Sequence, residues 1–344
     1  MLKPIAPMQG ALVRLDTPDQ KKFTEEEEYR AAMDGALTFK WYALERDGRD
    51  RTAPLPVSFS WEEILGEEEK AVDAYYFLLI SEKEDMTCPL VYLTRETSLD
   101  VYNLKVGTDY YWCVQKEGKR SDVAAFRTAL TLPRCLLIEG ISNVRDMGGY
   151  AVEEGVMRQG LVFRGGELEL HMHLTPKGAE ELRRLGIRTD LDMRGEATDK
   201  VDYPTSELVG MTRVFVPSVP YDDVFRKDQR KALKQFYTVF TSQASYPIYY
   251  HCWGGADRTG TFAYILGALC GMKREDLIYE YEFTSLSIWG TRSRNYEKFL
   301  AFEEKFFALP GATLRDKAKY YLKKYASLTD RQIERIYAIM VEKK

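Results

Sequence analysis

One segment organises this chain, and it reads Tyr249-Tyr250-His251-Cys252-Trp253-Gly254-Gly255-Ala256-Asp257-Arg258-Thr259-Gly260. The apolar run that ends at Tyr250 predicts a short buried strand, and the residues from Thr259 to Leu266 predict the first turns of a helix. A strand, a tight loop and a helix N-terminus in succession can present several backbone N–H groups to one anion. The segment therefore predicts an anion-binding loop at the carboxyl end of a strand.

The side chains of this loop suit it to phosphate chemistry. Cys252 lies where the loop N–H groups, the helix dipole and Arg258 all favour the thiolate, which is the nucleophilic form. Arg258 carries a planar fork that can hold two phosphate oxygens. His251 can orient the loop through a backbone hydrogen bond, and a threonine hydroxyl can help the sulfur to leave. We predict that Cys252 and Arg258 are catalytic and that the phosphate is bound by Trp253, Gly254, Gly255, Ala256, Thr259 and Gly260.

The string His-Cys-x-x-Gly-x-Asp-Arg-Thr-Gly resembles the Cys-x5-Arg phosphate loop of the protein tyrosine phosphatase superfamily. Four further segments, taken in order, resemble the bacterial subgroup of mycobacterial secreted phosphatase B and Listeria LipA: residues 138–150, 161–168, 185–194 and 281–286. This resemblance implies a phosphocysteine intermediate and an α/β fold with a central, mostly parallel sheet flanked by helices. It implies a phosphorylated protein or small phosphomonoester as substrate and no cofactor. A buried structural cysteine in an ordinary turn would not explain the arginine, the glycines and the threonine together.

A general acid must protonate the leaving oxygen. The resemblance implies Asp257 for this role, and repulsion from an incoming phosphate predicts a raised pKa for its carboxyl group. Asp222 or Asp223, which follow an apolar run, are the alternative acids. The subgroup's usual Gly-Lys-Asp-Arg has Ala256 in place of the lysine, which argues against phosphoinositide activity and favours phosphotyrosine or another monoester.

Further charged residues are candidates to support the loop. Asp192 and Arg194 lie at the carboxyl end of a predicted strand, where open α/β sheets bind ligands. Asp190 lies in the same strand, and the sequence assigns it no role. Three more residues either contact the loop or form a buried network that holds it in shape: Arg145, Asp146 and Arg164.

Residues 1–130 are predicted to form a separate β-sandwich, with a linker near residue 132 and the catalytic domain over 135–344. The stretch from Asn103 to Val114 resembles the corner of a fibronectin type III domain, in which Tyr110 is the corner tyrosine and Trp112 and Val114 point inward. An immunoglobulin-like sandwich of another subtype is the alternative. Trp41 is predicted as the buried strand tryptophan, and Trp61–Leu65 as a helical turn within an insertion. The expected partner of this domain is a protein or a glycan.

Composition excludes several classes of function. The chain has 344 residues and a net charge of −4, which argues against nucleic acid as the main partner. There is no apolar run long enough to span a membrane and no signal-peptide pattern at the start. Analogy with other bacterial enzymes that carry a β-sandwich domain favours export or surface display.

The five cysteines are widely spaced and indicate neither a disulfide framework nor a zinc site. His171 and His173 are predicted to be exposed, and no metal is expected.

Two alternatives to a tyrosine phosphatase stay open on the sequence. The chain could instead hydrolyse phosphoinositides or inositol phosphates. It could also be a phosphate-binding module whose catalysis has lapsed.

Overall fold

The computed structural model describes residues 1–30, 50–65, 74–195 and 205–343. The chain divides into two compact units, one of residues Met1–Asp16 and Pro54–Leu132, the other of residues Thr17–Ala53 and Pro133–Lys344. The second break lies where the sequence predicts the linker. The segment Thr17–Ala53, however, was expected in the first domain and belongs to the second unit.

The physical reason is apolar packing by this segment. Phe23 is buried, with its ring 5.8 Å from the rings of Tyr279 and Phe283. The hydroxyl of Thr52 accepts a hydrogen bond of 3.0 Å from the backbone N–H of Asn143. Burial of an aromatic side chain outweighs the sequence position of the segment in deciding which core it joins.

In its described residues, the first unit consists of strands joined by loops. They are β1 (Leu2–Ala6), β2 (Ala11–Val13), β3 (Val57–Glu63), β4 (Tyr76–Ser81), β5 (Leu90–Thr94), β6 (Ser98–Val101), β7 (Asp109–Lys116), β8 (Lys119–Arg120) and β9 (Ala124–Thr128). One sheet has the order β1-β3-β6 and another the order β2-β9-β7-β4-β5, with β8 beside β7. Side chains from both sheets share one core, in which Phe59 of β3 packs edge-on against Trp112 of β7 and Phe126 of β9.

The helical turn predicted at Trp61–Leu65 is wrong. Residues Val57–Glu63 form a strand, because Val57, Phe59 and Trp61 alternate with polar residues and all three are buried. Tyr110 and Trp112 are buried as the pattern predicts. Trp41, the other predicted core tryptophan, lies outside the described residues.

The second unit is a mixed α/β structure, as predicted. Its helices are α1 (Pro18–Glu25), α2 (Pro176–Arg184), α3 (Thr205–Leu208), α4 (Arg230–Val239), α5 (Asp257–Cys270), α6 (Arg274–Glu282), α7 (Glu297–Phe307), α8 (Leu314–Lys324) and α9 (Asp330–Met340). Its strands are β10 (Arg134–Cys135), β11 (Arg145–Asp146), β12 (Ala151–Val152), β13 (Gly155–Met157), β14 (Val162–Gly165), β15 (Thr189–Asp192), β16 (Thr212–Phe215), β17 (Ile248–His251) and β18 (Val341–Lys343). Short 3-10 turns cover Tyr221–Phe225, Lys227–Gln229, Gln243–Ser245 and Phe283–Leu286.

The main sheet places β17 at its centre. The strand order is β10-β11-β14-β17-β15-β16, and β14, β17, β15 and β16 run parallel to one another. A second, small sheet has the order β12-β13-β18. Because β17 is flanked by parallel strands on both sides, the loop after it lies at the carboxyl edge, where such sheets bind ligands.

Helices cover both faces of this sheet. Tyr249 and Tyr250 are adjacent on β17 and therefore point to opposite faces. Tyr249 belongs to a buried cluster with Leu182 of α2. Tyr250 packs edge-on against Phe236 of α4, whose ring lies 4.3 Å from that of Phe262 on α5. The two tyrosines anchor the strand, and so the loop that follows it, between two apolar layers.

The last helix begins with a capping box. Thr329 caps α9 by accepting from the N–H of Gln332, whose side chain accepts in return from the N–H of Thr329. Within the described residues, no helix is both long and apolar enough to cross a membrane.

Candidate active site

The loop from Cys252 to Ala256 is shaped by donors that hold its carbonyl groups. His251 Nδ1 donates to the carbonyl of Cys252 at 2.9 Å, and the N–H of Glu167 donates to that of Trp253 at 2.9 Å. Asn143 Nδ2 donates to the carbonyl of Gly254 at 2.9 Å. The next carbonyl, that of Gly255, accepts from Arg164 Nη2 at 2.7 Å and from Asn143 at 3.2 Å.

These bonds fix the direction of the loop N–H groups. In a trans peptide the carbonyl of one residue and the N–H of the next point in opposite directions. The N–H groups of residues 253–256 therefore point away from the donors that hold the carbonyls. Helix α5 begins at Asp257 and adds its first N–H groups and the positive end of its dipole. The N–H groups of the loop and of the first turn of α5 are thus left free of these carbonyl contacts and can be offered to an anion.

Cys252 opens this loop and is buried. Burial disfavours its thiolate, but the charge of Arg258 first, and then the nearby hydroxyl and N–H of Thr259, outweigh that effect and hold the pKa of Cys252 below its ordinary value. Arg258 is oriented by a hydrogen bond of 2.8 Å from Nη1 to the carbonyl of Met193. A low thiol pKa beside a guanidinium is the environment of a nucleophilic cysteine.

The two glycines of the loop are required by what packs outside it. A Cβ on Gly254 would lie 2.7 Å from the indole ring of Trp289, and one on Gly255 would lie 2.3 Å from the carbonyl oxygen of Gly165. Gly255 also has a φ of +64°, which side-chain-bearing residues rarely adopt. Trp289 therefore lies directly against the loop.

His251 connects the loop to the neighbouring strand. Its partners follow from register, because Asp190 pairs with Tyr249 and Asp192 pairs with His251 across the parallel strands, so that all point to one face. His251 Nε2 lies 3.0 Å from Asp190 Oδ1 and 3.9 Å from Asp192 Oδ1. The nearer contact is an ion pair without hydrogen-bond alignment. Burial opposes the charged imidazolium, but Asp190 and then Asp192 outweigh it and raise the pKa of His251 to about 9.

Arg194 is committed to carboxylates of the protein. It binds Glu167 at 2.8 Å, Asp192 at 2.7 Å and Glu169 by a further short contact. Burial disfavours the Asp192 carboxylate, but His251 and Arg194 hold its pKa well below the usual range. The structure thus places Asp192 and Arg194 in the network that supports the loop.

A second buried network lies behind the loop. The Nε–H of Arg145 is shared between the two carboxylate oxygens of Glu280, each at 2.8 Å, and Nη1 donates to the side chain of Asn143. Arg164 Nη1 lies 3.3 Å from the same glutamate while its Nη2 holds the carbonyl of Gly255. All four residues are buried. The two arginines and Asn143 therefore brace the loop from outside.

Asp146, another predicted supporting residue, is not part of this brace. Its carboxylate binds Arg134 at 2.7 Å and accepts from the N–H groups of Gly148 at 2.8 Å and Gly160 at 2.6 Å. None of these partners belongs to the loop. Asp146 stabilises the turns around β11 and β14.

Asp257, the first residue of α5, has both carboxylate oxygens occupied. Arg292 donates from Nε to Oδ1 at 2.7 Å and from Nη2 to Oδ2 at 2.9 Å, and the Tyr221 hydroxyl also donates to Oδ1. Burial favours the neutral acid, but Arg292 first, then Tyr221 and Arg258, hold the pKa of Asp257 below its ordinary value. The pKa of Asp257 is therefore lowered by the protein's own side chains, whereas the raised pKa expected from the sequence would require the charge of a bound phosphate.

The alternative acids lie on a segment that reaches the loop through a different side chain. Asp222 pairs with Lys305 of α7 at 2.6 Å, and Asp223 lies 3.7 Å from Arg226. Tyr221, next to them, is the residue that contacts Asp257. The structure therefore brings Asp257, and neither of these two carboxylates, into contact with the loop network.

Several functional candidates were missed because they come from distant segments: Asn143, Glu167, Tyr221, Glu280, Trp289 and Arg292. Two of these residues lie in segments that carry the family resemblance: Asn143 in residues 138–150 and Glu167 in residues 161–168. His171 and His173 are exposed, and His171 lies 2.8 Å from Glu167 with its ring 4.8 Å from that of Trp253. In the described ranges, no group of three or more metal-ligating side chains could hold an ion.

Comparisons with known proteins match the second unit. The model of the tyrosine phosphatase family matches residues 136–342. A protein of Cupriavidus necator named "Putative tyrosine-protein phosphatase" is 30% identical over 173 residues, which are 42% of this chain. The chain spans 61% of the length of that relative.

Solved structures give weaker likenesses. The core catalytic domain of the PP-IP phosphatase SIW14 from S. cerevisiae is 17% identical and covers 56% of this chain and 92% of its own, with a TM-score of 0.32. A fibronectin type III domain of the human KIAA0970 protein is 25% identical and covers 26% of this chain and 78% of its own, with a TM-score of 0.20. TM-scores this low support no conclusion about this chain.

Proposed function

The chain belongs to the tyrosine phosphatase family, and from that premise we propose that it hydrolyses phosphomonoesters through a phosphocysteine intermediate. The observation that carries the proposal is the loop that begins at Cys252, whose carbonyl groups are held outward around a cysteine of lowered pKa. Such a loop offers N–H donors and the Arg258 guanidinium to the equatorial oxygens of a phosphoryl group. Those oxygens carry the charge in the transition state.

The proposed reaction has two steps. The Cys252 thiolate attacks phosphorus, so that an S–P bond forms as the bond to the leaving oxygen breaks, and Asp257 gives its proton to that oxygen. Water then attacks phosphorus and passes a proton to Asp257, while the thiolate leaves with its charge stabilised by the Thr259 hydroxyl. Asp257 acts first as acid and then as base, so the proton balance closes over one turnover.

We favour phosphotyrosine or another aryl phosphate as substrate. Trp253, the residue after the nucleophile, supplies aromatic surface at the loop, which suits an aromatic leaving group. The buried arginines Arg145, Arg164 and Arg194 are bound to carboxylates of the protein and leave little positive charge for further phosphates. With Ala256 in place of the subgroup's lysine, a phosphoinositide or inositol phosphate substrate has less support.

A phosphate-binding module with lapsed catalysis is the second candidate. The observation in its favour is that Asp257 is held as a carboxylate by Arg292, so the acid form is disfavoured. Intact Cys252 and Arg258 favour the enzyme.

We further propose membership of the bacterial subgroup and a fibronectin type III-like first domain. Support for the latter is the Tyr110 hydroxyl, which accepts a hydrogen bond of 2.9 Å from the N–H of Lys105, five residues upstream, as a corner tyrosine does. This domain would bind a protein or a glycan and place the enzyme outside the cell or on its surface.

The test is hydrolysis of aryl phosphates across pH by the wild type, Cys252→Ser and Asp257→Asn. We expect Cys252→Ser to lose turnover and Cys270→Ser, a buried cysteine outside the loop, to retain it. We expect Asp257→Asn to lose the basic limb of the profile and to slow phenyl phosphate more than p-nitrophenyl phosphate, because the better leaving group needs less protonation. If the wild type turns over none of aryl phosphates, phosphotyrosine peptides and inositol phosphates, the proposed enzyme activity is wrong. The phosphate-binding module is then the remaining candidate.

A further inference from the structure

Arg292 binds Asp257 through a well-formed bidentate ion pair. The guanidinium meets the carboxylate edge to edge, with donor distances of 2.7 Å and 2.9 Å, which is the bidentate arrangement that binds carboxylates most strongly. The side chain of Arg292 is 17% exposed and that of Asp257 is 38% exposed. The pair therefore lies partly shielded from water.

The segment that carries Arg292 is itself anchored. Ser285 Oγ donates to the carbonyl of Arg292 at 2.9 Å and accepts from its N–H at 2.9 Å. Arg292 Nη1 donates to the carbonyl of Thr291 at 3.0 Å. The same segment places Trp289 against Gly254. Residues 285–292 thus contact the loop through Trp289 and through Arg292. The backbone of Arg292 and its Nη1 are fixed by hydrogen bonds within the same segment.

The charges around Asp257 come from several elements. Arg292 and Arg258 are the cations that face it, the first from the segment after α6 and the second from its own helix. Tyr221 faces it from the 3-10 turn, with the Tyr281 hydroxyl 2.9 Å behind that of Tyr221. Cys252 is the anion on the loop side. Of these groups, Arg292 makes the two-point contact, so it should have the largest influence on the proton of Asp257.

We infer that Arg292 is a positioning residue that orients Asp257 and sets the pH at which it loses its proton during catalysis. The inference rests on the proposed role of Asp257 as general acid. An opposite charge at hydrogen-bond distance favours the ionised carboxyl group. The acid form of Asp257 is therefore populated at acidic pH, and we expect an acidic optimum with a basic limb set by this pair.

The experiment compares pH profiles of kcat/KM for p-nitrophenyl phosphate in the full chain. The variants are Arg292→Gln, Arg292→Lys, Asp257→Asn and Arg294→Gln. Arg294 is the matched control, because it lies two residues away and makes a comparable bidentate pair with Glu282, at 2.8 Å and 2.6 Å. The urea midpoint of each variant shows whether it is folded. If Arg292→Gln does not fold, the pH profile of Arg292→Lys provides the test instead.

We expect Arg292→Gln to move the basic limb to higher pH by about one to three pH units, since a neighbouring opposite charge shifts a carboxyl group by that amount. Arg292→Lys should move it less, and Arg294→Gln should leave it in place. The inference is overturned if Asp257→Asn loses the basic limb while folded Arg292 variants keep it unchanged. If Asp257→Asn keeps the limb, the acid assignment of the proposed function fails and the inference fails with it.

Discussion

The ion pair of His251 with Asp190 leads to a prediction about protonation. A pKa of about 9, against an ordinary value of 6.5, corresponds to about 3 kcal/mol in favour of the imidazolium. One carboxylate at 3.0 Å can supply about 5 kcal/mol at an effective dielectric constant of about 20, which covers that gain and part of the opposing cost of burial. In Asp190→Asn we therefore expect the pKa of His251 to fall below about 7.

The chain is suited to a direct measurement because it contains three histidines. Selective carbon-13 labelling of the imidazole rings gives three resonances, which the variants His171→Gln and His173→Gln assign. We expect the His251 resonance to titrate near pH 9 in the wild type and about two pH units or more lower in Asp190→Asn. A wild-type midpoint near 6.5, or an unchanged midpoint in Asp190→Asn, would refute the reasoning.

The same pair predicts how stability depends on pH. Because the folded pKa of His251 lies above the unfolded value, its contribution is complete below about pH 6.5 and is lost as the pH rises through about 9. Cys252 has the opposite slope, since a lowered thiol pKa stabilises the fold increasingly as pH rises. In a Cys252→Ser background, unfolding in urea should therefore become easier by about 3 kcal/mol between pH 6 and pH 9, and Asp190→Asn should remove most of that change.

Three further substitutions test the frame of the site. Gly255→Ala places a Cβ 2.3 Å from a backbone oxygen and should lower kcat/KM at least tenfold. Gly186→Ala is the control, because Gly186 also has a positive φ but faces open space, and this variant should lose only stability. Aryl phosphate assays measure the loss of activity, and urea midpoints measure the loss of stability. Arg164→Met leaves Glu280 with one cation fewer and should destabilise the second unit by about 3 kcal/mol, and a change under about 0.5 kcal/mol in urea unfolding would contradict the brace. Phe23→Ala should cost about 3 kcal/mol in the same measurement, because its ring packs on α6; a loss no larger than that of an exposed side chain would contradict the assignment of Thr17–Ala53 to this unit.

The central part of the site, which the sequence predicted most directly, is contiguous in the chain. The order of strand, glycine-containing loop and helix between Ile248 and Cys270 is encoded by neighbouring residues, as are the positions of Cys252 and Arg258 within it. The strand that carries Asp190 and Asp192 was also predictable from its apolar neighbours. Because local spacing alone determines these features, they could be recognised without knowing what packs against them.

Only the tertiary structure determines which side chains hold the loop and the carboxylate of Asp257. Asn143 is 111 residues away in sequence from Gly254, and Arg292 and Tyr221 are 35 and 36 residues away from Asp257. None of them stands in a pattern that indicates its partner. The protonation of Asp257 depends on a guanidinium that the fold brings to 2.7 Å. Electrostatic interactions depend on distance in space, and for residues this far apart in sequence only the packed chain determines that distance.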